Sequence, residues 1–250
     1  MKRLLPLLAA VFLWVTSSSL AVSPEAAAIL AKARQRLGGE AALNGINSIH
    51  FFGSIEKSET GAKDAGKSSV EIIFQKPCQQ RFMISSEKAI DITGLDNYFA
   101  WRRLEPAGAR PQNFGLNAEA TKRLRANTWE NLNFFHDVEQ HGGTIIDQGD
   151  VEQDGLKCRK LVFSYGDGID FVRYFEKDTG RLVLTETAGT IREEGEIVVA
   201  GVRFPQKLVS TSPSPADGKM RTVTIVFDRI ALNETFPAST FEQPLFSGPQ

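Results

Sequence analysis

Two cysteines and three histidines are all that this 250-residue chain holds of the side chains most often recruited for metal binding and nucleophilic catalysis. Cys78 and Cys158 are too few for a disulfide scaffold. A single Cys78–Cys158 disulfide and two buried free thiols therefore stand as equal alternatives. His50 lies far from the other histidines, and the five-residue step from His136 to His141 would place them on different faces of a helix, so no metal site is expected. No serine sits in a G-x-S-x-G elbow, and neither cysteine has a histidine beside it in sequence. An enzyme is not expected, nor a cofactor. Charge of one sign is also missing: 29 basic residues stand against 30 acidic ones with no like-charged run, which argues against nucleic acid as a partner.

Long apolar runs are equally scarce. Lys2 and Arg3 precede a short apolar stretch, Leu4 to Val15, interrupted by Pro6 and followed by Ser19 and Ala21 at the positions a signal peptidase reads. The stretch falls short of the roughly 20 residues that span a bilayer. Met1 to Ala21 is thus expected to be a cleaved export signal, leaving residues 22–250 as one exported domain.

What the chain does have is strand pattern. Leu161, Phe163 and Tyr165 alternate with Lys160, Val162 and Ser164, Gly166-Asp167-Gly168 supplies a hairpin turn, and a second alternating run covers Ile169 to Glu176. Asp178-Thr179-Gly180 turns the chain again into Leu182–Thr187, so Cys158 to Thr187 is a β-meander with an apolar face that something must cover. Before it, Ser23 and Pro24 cap a helix carrying Ile29, Leu30, Ala33 and Leu37 at helical spacing, ended by Gly38 and Gly39, and a short helical piece covers Glu40 to Leu43. Strands are predicted from Ile46 to Glu56, then over Ser69–Gln75, Arg81–Ser85, Lys88–Thr93 and Tyr98–Arg103. The pattern breaks over Pro106–Gly115, a helix fits from Asn117 to about Asp137, and further strands cover Thr144–Gln153, Glu196–Ser210 and Met220–Leu232. About ten strands and two or three helices, with no α-then-parallel-β alternation, predict a mainly β (α+β) chain built on one strongly curved antiparallel sheet.

Two motifs invite chemistry and are set aside. Gly61 to Ser68, GAKDAGKS, satisfies the phosphate-loop expression but leads into a strand, where no helix N-terminus can hold phosphate, so it reads as a hairpin tip. Asp178-Thr179-Gly180 is the tripeptide of aspartic proteases without the second copy that must share its proton, and it too reads as a turn.

GKSSVEIIFQKPCQQRFMIS followed by DITGLDNYFAWRRLEP resembles the periplasmic outer-membrane lipoprotein carriers, the LolA-like family. Gln75-Lys76-Pro77 ends one strand, Phe82 lies in the next, and Thr93 and Gly94 precede the aromatic strand with Tyr98, Phe99 and Trp101. VAGVRFPQKLV and IALNETFPASTFEQP are similar to the C-terminal pattern of the wider lipoprotein-sorting-like group. The resemblance implies an unclosed β-barrel whose concave apolar face is covered by a helical lid, taking up acyl chains of lipoproteins or another lipid without covalent chemistry. It also implies a periplasmic monomer working between membrane-bound donor and acceptor proteins. Ile49, Phe51, Ile72, Phe74, Phe82, Ile84, Phe99, Trp101, Leu161, Phe163, Val223, Ile225 and Phe227 fall on alternate positions and are expected on the concave side. From the residues alone, an ordinary core is favoured over a cavity. The alternative to a carrier is a ligand-binding sensor of the envelope that acts through a protein partner, and a hydrolase is the third reading.

Overall fold

Thirteen antiparallel strands form one continuous sheet, and the path of the chain through it decides which surface is left to bind anything. The structure is a computed structural model and describes residues 22–59, 68–214 and 217–244. The expected signal, Met1 to Ala21, lies outside these residues, as does Gly61 to Lys67 of the phosphate-loop-like motif. The chain enters near the middle with β1 (Ser48–Glu59) and moves outward through β2 (Ser68–Gln75), β3 (Gln79–Ser85), β4 (Ala89–Asp96), β5 (Phe99–Pro106) and β6 (Gln112–Gly115). It then crosses to the opposite edge and returns through β7 (Thr144–Gln153), β8 (Leu156–Ser164), β9 (Asp170–Glu176), β10 (Leu182–Glu186), β11 (Thr190–Val199), β12 (Val202–Pro213) and β13 (Met220–Leu232). β13 pairs with β1, closing the loop of the chain in the centre of the sheet while β6 and β7 remain its free edges. So wide a sheet must curl, and it forms a strongly curved, unclosed barrel.

The meander is as expected, with Gly166, Asp167 and Gly168 all at positive φ. Two strands were not predicted as separate elements because two signals were weak. β6 lies inside the Pro- and Gly-rich break, and the run from Glu196 to Ser210 is two strands, parted by a tight turn in which Ala200 and Gly201 take φ of 49° and 82°.

Three helices cover the concave side. α1 (Pro24–Leu37) starts on Pro24 with the Ser23 hydroxyl accepting from the Ala26 amide, and lays Ala26, Ile29, Leu30 and Ala33 against Leu161, Phe163 and Phe175. The apolar face of the meander is therefore covered by the first helix. α2 (Glu40–Asn44) follows directly, and α3 (Ala118–Asn133), capped by the Asn117 side chain on the Ala120 amide, crosses the β2–β5 half. α3 stops earlier than its apolar pattern suggested, because Phe134, Phe135 and Asp137 take φ of 50°, 69° and 58°. The left-handed conformation turns the chain out of the helix.

Register fixes which side chains face inward. Ile49, Phe74, Gln80, Leu95 and Ala100 form one concave row, and Phe51, Ile72, Phe82, Thr93 and Arg102 the next. On β5 this reverses the expected parity: Phe99 and Trp101 lie on the convex side. Phe99 is 50 % exposed there, whereas Trp101 lies across Gly94, donates its indole N–H to the Phe241 carbonyl at 2.7 Å and is covered by the C-terminal segment. A buried indole needs a partner for its one donor, and that segment supplies it. The Cys78–Cys158 disulfide is also not formed. Both thiols are free and buried, Cys78 beside Leu95 and Ala100 and Cys158 beside Tyr174 and Leu184 on the convex side of the other half.

The Asp178-Thr179-Gly180 turn has a structural task. Gly180 takes φ of 73°, and a Cβ there would lie 2.7 Å from the Ala33 amide nitrogen of α1. Gly180→Ala is expected to cost about 2 kcal/mol or more, against about 1 kcal/mol for Gly108→Ala, where φ is 72° but the surroundings are open. Equilibrium denaturation of the two variants checks this; equal losses would show that the approach of turn to helix is not tight.

Candidate ligand-binding site

Between the sheet and the helices lies a cavity of about 600 Å³, within the range of small-molecule sites. α1 lies over the β8 and β12 side of the concave face and α3 over the β2–β5 side, and residues of both border the cavity. Ile49, Phe51, Ile72, Phe74 and Phe82 form one wall, Val223, Ile225 and Phe227 the floor, and Phe204, Leu208 and Phe171 the other wall, with Leu37, Phe134 and Phe135 above.

Eight of the thirteen residues expected in the groove line this cavity: Ile49, Phe51, Ile72, Phe74, Phe82, Val223, Ile225 and Phe227. The other five do not. Ile84 packs at the margin of the same apolar cluster, while Leu161 and Phe163 face the concave side but are wholly buried beneath α1. Phe99 and Trp101 are on the convex side, as their register requires. Sequence reasoning missed Phe204 and Leu208, whose strand it had merged with β11, and Phe134 and Phe135, which it had placed at the end of a longer helix.

The polar groups of the cavity are few and nearly all paired. Arg173 on β9 and Glu130 on α3 form a buried ion pair, the Tyr165 hydroxyl donates to the same carboxylate, and the guanidinium lies 4.5 Å from the Phe163 ring centre and 5.0 Å from that of Phe135. Burial and the neighbouring Glu130 carboxylate push the Tyr165 phenol well above its ordinary pKa, so it acts here as a donor. At the mouth Glu196 bridges Arg36 and Arg203. Glu193 alone stands apart. Register puts it on the concave side of β11 opposite Leu208, and it has no hydrogen bond or ion pair among the described residues. Its side chain is exposed and borders the cavity. Protein surrounds it at longer range, and the resulting desolvation, only partly offset by Arg173, raises its pKa to about 7.

α1 is fastened at both ends. At its start the Ser23 hydroxyl donates to Asp147 of β7, whose carboxylate also receives Arg159 at 2.7 and 2.5 Å; the Arg159 hydrogen bonds do most to hold Asp147 near pKa 2. Towards its end Arg34, 3 % exposed, spends its fork completely. Nη1 donates to the carbonyls of Asn133 and Phe134 at 2.8 Å each, Nε and Nη2 to Glu40 at 2.5 and 2.6 Å, and Nη2 to Asn44 at 3.0 Å. One side chain thus joins α1, α2 and the end of α3, and nothing in its sequence surroundings marked it.

No protein-family model and no curated protein matches the chain. Solved structures do match its fold. A LolA superfamily protein from Nitrosomonas europaea superposes with a TM-score of 0.58 at 12 % identity, over 87 % of this chain and 97 % of the other. A DUF1329 family protein from Desulfovibrio piger gives 0.56 at 11 % identity, over 86 % and 96 %. The chain therefore has the LolA-like fold.

Two predictions test the site's electrostatics. Because the folded state holds the Glu193 proton up to about pH 7 and the unfolded chain releases it near the ordinary carboxylate pKa, stability should fall as pH rises between those values and then level off. Glu193→Gln removes that fall, so its melting temperature should gain on the parent's from pH 5 to pH 8; a constant difference would place the carboxylate in ordinary solvent. Arg34→Met should cost about 3 kcal/mol by stranding two carbonyls, and Arg34→Lys should recover less than half of it. Denaturant titration decides, and full recovery by lysine would mean that charge alone matters.

Proposed function

We propose that the protein is a periplasmic carrier that holds acyl chains of lipoproteins, or another apolar ligand, in the cavity without covalent chemistry, residues 22–250 acting as one unit after export. The observation that carries this reading is an apolar space left unfilled between a curved sheet and two helices anchored at their ends. A protein that only needed a core would close that space, since interiors pack as densely as organic crystals. The similar solved structures support the reading through fold alone. Burial of each CH₂ group contributes about 0.8 kcal/mol, so a long chain is held firmly without many directional contacts. The two half-covers fit a carrier, because cargo has to enter and leave, and membrane-bound donor and acceptor proteins would be its partners.

The reading is tested by native mass spectrometry of protein purified from the cell envelope, and by binding of an apolar fluorescent probe. A probe displaced by fatty acid or lipopeptide is expected. Ile225→Asp, which sets a charge on the cavity floor, should weaken probe binding at least tenfold with circular dichroism and melting near the parent's. Phe163→Leu, beneath α1, should lower stability and leave binding within about threefold. Absence of probe binding by the folded parent would end the carrier reading.

A further inference from the structure

Among the described residues, every charged group on the cavity wall has an ion-pair partner except one. Arg173 is taken by Glu130, Arg36 and Arg203 share Glu196, and Arg181 pairs with Glu176. Glu193 has none among the described residues, although it borders the apolar space from β11, with Leu208 beside it on β12 and Ile225 next on β13. An acid in this position carries a desolvation cost once an apolar ligand displaces the water around it. Gln or Leu would fit the same register without that cost.

We infer that Glu193 recognises the head of an amphiphile bearing a protonated amine, whose alkyl tail lies along Ile225, Phe51 and Phe74. The inference rests on the proposed apolar-ligand site and adds the chemistry of its polar end. An ammonium brought to Glu193 supplies the missing counter-charge and hydrogen-bond donors in surroundings where both count for more than in water. Arg173 also acts on Glu193, but it forms its ion pair with Glu130 and none with Glu193. A carboxylate head would meet Glu193 as a like charge. An alcohol head could hydrogen-bond but would leave the charge uncompensated. The lone acid therefore ranks three ligands of equal tail length: amine first, alcohol second, carboxylate last.

The experiment is displacement of an apolar fluorescent probe by dodecylamine, dodecanol and dodecanoate, each kept below the concentration at which it aggregates, at pH 7.5 and moderate salt. For the parent, dodecylamine should displace at a concentration at least about tenfold lower than dodecanol, with dodecanoate weakest. In Glu193→Gln and Glu193→Ala, amine and alcohol should fall within about threefold of each other while the probe's own affinity stays near the parent's. Two variants are used so that a folding defect in one leaves the comparison intact. Dodecanoate equal to or tighter than dodecylamine, or an amine preference that survives both substitutions, overturns the assignment while leaving the apolar site standing. Displacement by none of the three, with the probe bound, overturns it too, and failure of the probe itself to bind removes the site on which it rests.

Discussion

The Arg34 guanidinium is the point on which the helical side of this structure depends. A wide antiparallel sheet that curls without closing leaves a concave face that helices must cover. Here α1, α2 and the turn after α3 are joined through one buried fork whose donors go to two backbone carbonyls, a carboxylate and an amide oxygen. The carbonyls are those of Asn133 and Phe134, where the chain leaves the helix in a left-handed conformation that costs about 1–2 kcal/mol per residue. Charge-assisted donors at that turn offset the cost. With the turn fixed, Phe134 and Phe135 are held over the cavity and not released to solvent.

That arrangement explains how a cavity persists in a chain rich in large apolar residues. Collapse of α1 onto the centre of the sheet would bring it off Asp147 at one end, where Ser23 is bound, and off the α3 turn at the other. Gly180 and Gly38 hold it against its own half of the sheet, because each meets backbone where a Cβ would stand. The helix is positioned by polar contacts and close backbone approaches at its rim together with apolar packing of Ala26, Ile29, Leu30 and Ala33, while Leu37 borders the cavity. The unfilled space is thus a consequence of where the fastenings are.

The sequence made the sheet legible because turns and alternation are local. The Cys158–Thr187 meander, the β7 and β13 boundaries and the Ser23 cap follow from residues a few positions apart. What it could not show depends on distant register. Phe99 and Trp101 alternate as groove residues would, yet pairing with Asp96 and Gly94 turns them to the convex side, where the C-terminal segment, well over a hundred residues away, supplies Phe241. Leu161 and Phe163 had the correct face, but which concave residues lie under a helix and which border a space is decided by the placement of α1. Core and cavity have the same periodicity.

Glu193 shows the same limit from the polar side. Within Arg192-Glu193-Glu194-Gly195-Glu196 it reads as one of several solvent-facing acids, and two of its neighbours do face outward as part of that pattern. Gly195 at φ of 65° opposes Gln206, so the strand keeps its pairing through the bend while Glu193 stays on the concave side opposite Leu208. Its difference from Glu196 is therefore one of surroundings and not of residue type. Glu196 sits between two arginines, whereas Glu193, beside Leu208, forms no ion pair among the described residues. An acid that the fold leaves uncompensated in a space large enough for a ligand is more readily understood with that ligand's charge included than without it.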